Sequence, residues 1–306
     1  LQPPLFLKEK MPISPEQALD CFASDDLIGI GMEADAIRRR LHSEGVVTYT
    51  IDSIIDPAAP IRPQVEAAIE EGATGVILRT PQPLGLPAFE FLVKTIRQAH
   101  PAIRIQALSA LEILALAGAS HLSPRELLAR LKAAGLDTLP GSGASCLDPE
   151  PWLAVHRAAH EAGILTTAEM LFGAGESMQQ RVAFLGSLRA LQSETGGFLA
   201  FTLTSAPSPT GRDLDDPTAV EYLKTLAICR MVLDNIPHIQ TSAHHQGLKV
   251  LQMSLRFGGN DAGSVHPVAV SKHSQDASEE EVRRIIRDAG FRPAQRDALY
   301  RTLFLN

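Results

Sequence analysis

Cysteine is scarce in this 306-residue chain. There are three, Cys21, Cys146 and Cys229, each more than 80 residues from the next. That spacing excludes a local metal-binding loop and a small disulfide-stapled scaffold, and it places the protein in the reducing cytoplasm. Aromatic residues make up only 5%, which argues against a stacking platform for single-stranded nucleic acid. Positive charge is in deficit, with 28 Lys and Arg against 35 Asp and Glu and a net charge of −7. Non-specific binding to a phosphate backbone is therefore disfavoured. No window approaches the roughly 18 uninterrupted apolar residues of a membrane span. The start, LQPPLFLKEK, lacks the charged-then-apolar layout of a secretory signal and reads as a trimmed terminus. A small-molecule ligand is the expected partner, with neither nucleic acid nor membrane.

What is present is enough apolar sequence, 45%, to bury one large core. Two amphipathic helices come first, Pro15–Ala23 behind a Ser14 cap and Ala34–Leu41. Short apolar strands then alternate with helical patterns. Val46–Ile54 is β-branched and aromatic, a strand by composition. Gly75–Arg79, Ala102–Leu108, Leu136–Leu139, Ile164–Phe172, Gly197–Thr204 and His238–Ser242 follow as strands, with Val265–Val270 as a weak last one. Between them, Ser123–Ala134 carries a Ser-Pro-Arg-Glu cap signature. Strand–helix alternation with short connections means βαβ units and a parallel sheet. About eight strands predict an α/β (β/α)₈ TIM-type barrel with its site at the strand C-termini. The expected organisation is an N-terminal helical extension (1–45), the barrel (46–275) and C-terminal helices packing on it (276–306), the latter being Ser278–Ala289 and Pro293–Leu303. Ser205–Thr218 is a proline-rich loop, either a lid over the barrel mouth or a plain surface loop.

Several stretches carry a resemblance. Leu136–Ala144 (LDTLPGSGA), Thr166–Gly173 (TTAEMLFG), Glu194–Phe201 (ETGGFLAF) and Ser254–Ser264 (SLRFGGNDAGS) resemble the radical-SAM dehypoxanthine futalosine cyclase family of menaquinone biosynthesis. Asp234–Ser242, Gln246–Phe257 and Ile285–Tyr300 resemble its C-terminal region almost position by position. The resemblance spans roughly residues 13 to 303 and is similar, more distantly, to deazaflavin synthase subunits. It implies a barrel whose first strand runs into a CxxxCxxC loop that holds a 4Fe–4S cluster and S-adenosylmethionine. Here Val46–Asp52 resembles the approach strand, but SIIDPAAPIRPQVEAAIEEG passes straight into the next helix. A cluster needs thiolates at fixed local spacing, and Ser53, Asp56 and Pro57 supply none. The family's glycine turn after the second strand is replaced by Arg79-Thr80-Pro81, where proline removes a backbone donor and fixes φ. No 4Fe–4S cluster is expected, and S-adenosylmethionine loses two of its anchors.

The resemblance also names candidate ligand-binding residues. Ser109 and Glu112 resemble the family's Ser-Pro-Pro-Glu, and Gly141, Ser142 and Gly143 its Pro-Gly-Gly-Gly turn. Asn260 and Asp261 match its Gly-Ala-Asn-Asp-x-Gly-Ser, and Gln246 is kept. Each is equally a tight turn that the fold itself requires. Two departures introduce new chemistry. Glu169 stands where the family has threonine, and period-two alternation puts Thr167, Glu169 and Leu171 on one face. Ala243-His244-His245 replaces Trp-Val-Thr. Glu169, His244 and His245 are candidates for acid–base catalysis or for a metal site, with His266 as a further member. A metal ion or a haem is the candidate occupant of the mouth. His156 and His160, at i and i+4, lack the zincin order and read as an exposed helix face. Three roles stay open: a cluster-less enzyme acting on a nucleoside-like or aromatic carboxylate ligand, a non-catalytic pseudoenzyme or partner of a radical-SAM paralogue, and a SAM-dependent cyclase with unusual ligands; the assembly expected is a homo-oligomer or a complex with a radical-SAM paralogue.

Overall fold

A computed structural model describes residues 12–79, 83–206, 217–241, 243–265 and 277–305, leaving aside the side chains of 244, 245, 304 and 305. Thr80, Pro81, His266 and most of the proline-rich loop, including Gly211-Arg212-Asp213, lie outside these residues.

Two helices lead the chain, α1 (Pro15–Ala23) and α2 (Leu27–Leu41). Ser14 and Gln17 form a reciprocal capping box on α1. Asp26 caps α2, which starts seven residues before the expected Ala34. Gly29 and Gly31 hide that beginning in the sequence. Gly31 is needed because a Cβ there would lie 2.6 Å from the Phe257 ring. The barrel strands follow: β1 (Val46–Thr50), β2 (Asp52–Ile55), β3 (Gly75–Leu78), β4 (Arg104–Ala107), β5 (Thr138–Leu139), β6 (Leu165–Phe172), β7 (Phe198–Ser205), β8 (His238–Gln240) and β9 (Asp261–Ser264). The helices between them are α3 (Ile61–Glu70), α4 (Leu86–Ala99), α5 (Ala110–Ala119), α6 (Pro124–Ala134), α7 (Glu150–Glu161), α8 (Met178–Thr195), α9 (Ala219–Val232), α10 (Ala243–Gln246) and α11 (Leu248–Ser254).

All pairings from β2 through β9 are parallel and between neighbours. β1 and β2 are one run interrupted at Ile51. β1 pairs with β9 and β2 with β3. The run Val46–Ile55 therefore carries both ends of the ring and closes it, as the strand count predicts. Among the described residues the last barrel strand is Asp261–Ser264, inside the segment read as a glycine turn; the strand expected at Val265–Val270 lies, after Val265, outside the described residues.

The C-terminal segment departs from expectation. α12 (Glu279–Asp288) forms behind a Ser278–Glu281 capping box. Pro293–Leu303 is not a helix: it contributes β10 (Arg292–Arg296), parallel to β1, and β11 (Thr302–Leu305), antiparallel to β10. Helical periodicity loses here to tertiary pairing, because β10 completes the start of β1 on the side away from β9. Between the two strands the chain turns under the barrel. There Tyr300 adopts φ 61°, a strained value for a bulky residue.

Apolar residues pack outside the ring. One cluster lies between the strands and the surrounding helices. A second, including Val47, Tyr49, Leu251, Leu255, Val282, Ile286 and Phe291, covers β1. The expected exposed face of α7 is instead buried. His156 is fully enclosed, lies tilted against Trp152 at 3.7 Å between ring centroids, and hydrogen-bonds Thr166 Oγ1 at 2.9 Å. His160 is half-buried against Thr195 and the same Thr166. Trp152, His156 and His160 share one stripe at i, i+4, i+8, and that stripe faces the sheet.

Candidate functional site in the barrel

The inner wall of the ring is polar. Thr50 and Asp52 from β1 and β2, Arg104 and Gln106 from β4, Thr167 and Glu169 from β6, Thr202 and Thr204 from β7, Gln240 and Ser264 line a cavity of about 310 Å³. Alternation explains the set. Along β6 the residues Met170 and Phe172 are buried in the outer layer, while Thr167 and Glu169 face inward. The expected face of β6 is confirmed. A larger cavity, about 790 Å³, lies outside the ring between α4 and α5. Its lining is mainly Leu, Pro, Phe and Ala, so the chemistry-bearing side chains gather in the smaller one.

The floor is built by the C-terminal segment. Arg296 enters from the end of β10 and grips Asp261 with two bonds, Nε to Oδ2 at 2.5 Å and Nη2 to Oδ1 at 2.9 Å. Thr48 Oγ1 donates to the same carboxylate at 2.5 Å. Burial pushes the Asp261 carboxyl up, but Arg296, with Thr48 and His238, more than offsets this and holds it below the usual carboxylate range. Tyr300 stacks between the Arg296 guanidinium and His238, and its hydroxyl donates to Gln240 Oε1 at 3.0 Å. Burial drives His238 down to about 3 and so keeps it neutral. Asn260 ties this floor to the outer layer. Its Oδ1 accepts from Arg230 Nη2 at 2.9 Å and from the Ile239 amide at 2.8 Å. Asn260 and Asp261 are thus buried structural partners, and neither lines the cavity.

Glu169 stands on the wall above. Its Oε1 accepts from Thr204 Oγ1 at 2.8 Å, and burial pushes its carboxyl up. Among the described residues no arginine pairs with it. Arg79 lines the mouth, exposed, and no carboxylate among the described residues lies within ion-pair distance of it.

The other sequence candidates divide. Ser142 lines the cavity. Gly141 is fixed by close packing, since a Cβ there would meet the backbone of Ala168 and Glu169 at 2.6–2.7 Å. Its amide donates to Thr167 Oγ1 and its carbonyl accepts from Trp152 Nε1. Gly143 has φ +88°, which a side chain would strain. Ser109 and Glu112 do not line the barrel cavity. They are the capping box of α5, satisfying one another and the helix end. Gln246 donates to Ser205 Oγ at 3.0 Å. His244 and His245 lie on the short turn α10, directly after β8, and their side chains are outside the description. Among the described residues, no three His, Cys, Asp or Glu side chains gather as a metal site. Asp52, which sequence reasoning passed over, lines the cavity wall. Its signal was available: an acidic residue at an inward position of the first strand.

Residues 210–305 match a family described as the CofH/MqnC C-terminal region. The chain is 31% identical to a cyclic dehypoxanthine futalosine synthase of Streptomyces coelicolor over 345 aligned positions, covering 96% of this chain and 86% of the relative. That alignment is longer than the chain, so the relative carries internal segments that this chain lacks. It is 33% identical to an aminodeoxyfutalosine synthase of Thermus thermophilus, covering 89% and 78%. The fold superimposes on methylornithine synthase with a TM-score of 0.68 over 94% of this chain and 96% of the other, at 13% identity, a likeness of the fold alone. A closed eight-strand ring, a matching C-terminal region and relatives at this identity over most of their length agree: the chain belongs to the CofH/MqnC family and has a radical-SAM-like TIM-type barrel.

Proposed function

We propose that this protein is a family member that has given up the radical-generating cluster and keeps its barrel as a ligand site, in or near futalosine-dependent menaquinone synthesis in the cytoplasm. The ligand is nucleoside-like or an aromatic carboxylate. The observation that carries this reading is the polar cavity inside the ring, with hydroxyl and amide groups on most walls, Glu169 between Thr167 and Thr204, and Arg79 at the rim. Threonine hydroxyls and glutamine amides suit sugar hydroxyls, and a guanidinium with no ion-pair partner among the described residues suits a carboxylate.

A 4Fe–4S cluster does not fit the residues present. The connection from β2 to α3, where the family's cysteine loop would stand, is Asp56–Pro60. It is closed by its own bonds, Ala58 N to Asp56 Oδ1 at 2.9 Å and Gln64 Nε2 to the Asp56 carbonyl at 3.0 Å. The three thiols are buried on separate elements, and burial pushes Cys146 up to about 11, away from the thiolate a cluster needs. S-adenosylmethionine, anchored through such a cluster, gives no step here.

Glu169 is the proposed acid–base group, because burial raises its carboxyl above the ordinary carboxylate range and favours its holding a proton. The metal-site alternative on Glu169, His244 and His245 is decided by metal analysis of purified protein. A stoichiometric metal lost in Glu169→Ala supports it, and metal-free protein that still binds ligand removes it. The ligand reading is tested by thermal shift with dehypoxanthine futalosine, aminodeoxyfutalosine and S-adenosylmethionine. Stabilisation by one of the futalosine-type nucleosides, weakened in Glu169→Ala, is expected. No shift with any of them overturns it in favour of a non-catalytic partner protein.

A further inference from the structure

The ring order places Asp52 and Glu169 on opposite walls. Counting β1 and β2 as one strand, β6 is the fifth of eight and stands diametrically across from it. Both side chains line the cavity. The Asp52 carboxylate has a prepared place, because Gly75 lacks the Cβ that would lie 2.5 Å from Asp52 Oδ1. Gly75 is not among the positive-φ glycines, so its missing side chain serves space and not backbone conformation. Among the described residues the Asp52 carboxylate is met by two hydroxyls, Thr50 Oγ1 at a long 3.5 Å and that of Ser264. Glu169 has one partner, Thr204, on Oε1. A carboxylate has about four lone-pair sites, so each keeps acceptor capacity beyond its hydroxyl partners among the described residues. Arg296, whose charge acts on Asp52, is already held by both oxygens of Asp261.

We infer that Asp52 is a specificity-determining residue of the barrel site and that, with Glu169, it clamps a neutral, hydroxyl-rich moiety such as a ribose diol between opposite walls. Both walls present acceptors, so the moiety between them must bring donors. Arg104 and Arg296 also line the cavity but are already engaged by Asp137, Asp297 and Asp261, so an anionic group belongs at the rim, by Arg79. This rests on the reading of the barrel cavity as a ligand site and adds which part of the ligand lies deepest.

The test is calorimetric titration with adenosine and with its dideoxy analogue, which lacks both diol hydroxyls. Wild-type protein is expected to bind adenosine more tightly by about tenfold or more, the range for losing hydrogen bonds to a buried carboxylate. Asp52→Asn and Gly75→Ala are each expected to erase that difference, the second by displacing the carboxylate without changing its chemistry. Gly75→Ala also serves if Asp52→Asn fails to fold, with circular dichroism reporting the fold of each. Retention of the diol preference in either folded variant overturns the inference. Wild-type protein that binds futalosine-type nucleosides without preferring adenosine over the dideoxy analogue overturns it alone. Wild-type protein that binds no nucleoside overturns the cavity reading with it.

Discussion

Glu169 shows how one residue sets the character of the site. It occupies an inward position of β6 between two threonines, and its only bond among the described residues is the one from Thr204. Burial makes its charge costly, so the folded chain holds the proton more tightly than the unfolded chain. The sign follows: its contribution to stability is full below the ordinary glutamate value of about 4.3 and is lost as pH rises through the raised folded value. Glu169→Gln should therefore be at least as stable as wild type at neutral pH, with any advantage gone below about pH 4. Urea midpoints at both pH values check this, and a glutamine variant markedly less stable at neutral pH would contradict it. The residue was legible because strand alternation fixes which side chains share a face. Asp52 was less so, since it stands at the break between β1 and β2, where alternation is interrupted at Ile51.

At the scale of elements, helix starts were the most legible feature, because capping is local chemistry. Ser14, Ser109, Ser123, Ser177, Thr218 and Ser278 each open a helix through a reciprocal box. Ser109→Ala should cost about 1 kcal/mol of stability and leave ligand affinity unchanged. Lost affinity with unchanged stability would restore the ligand-binding role that the family resemblance implies. The last two strands were not legible. Phe291–Leu303 has a helix-compatible pattern, and its fate is decided by β1, more than 200 residues earlier in the chain, and by the socket that Asp261 offers Arg296. Arg296→Met should cost about 3–5 kcal/mol, because it leaves a fully buried carboxylate unpaired. The loss should shrink in acid, where Asp261 is neutralised. Chemical denaturation at two pH values measures both. The α7 histidines were misread for a related reason. A histidine four residues after a tryptophan continues a buried stripe as readily as a wet one.

For the whole molecule, closure of the ring matters most, and it depends on a single strand run serving β9 and β3 at once. Strand–helix alternation made the barrel legible, but the polar filling of its centre and the C-terminal floor arise only when distant segments meet. Burial also leaves a global signature. His42, His156, His160 and His238 are all held below their ordinary value, first by desolvation. Below about pH 6.5 the unfolded chain takes up protons that the folded chain refuses, so stability should fall as pH drops from 7 to 5. A urea midpoint that stays level across that range would contradict the burial of these four rings. The broader claim is that the frame of the family persists as a ligand site without its cluster. Its most direct test is calorimetric titration of chelator-treated, iron-free protein with dehypoxanthine futalosine. One saturable site, weakened in Glu169→Ala, is the predicted result. Binding that appears only after reconstitution with iron, sulfide and S-adenosylmethionine would contradict it.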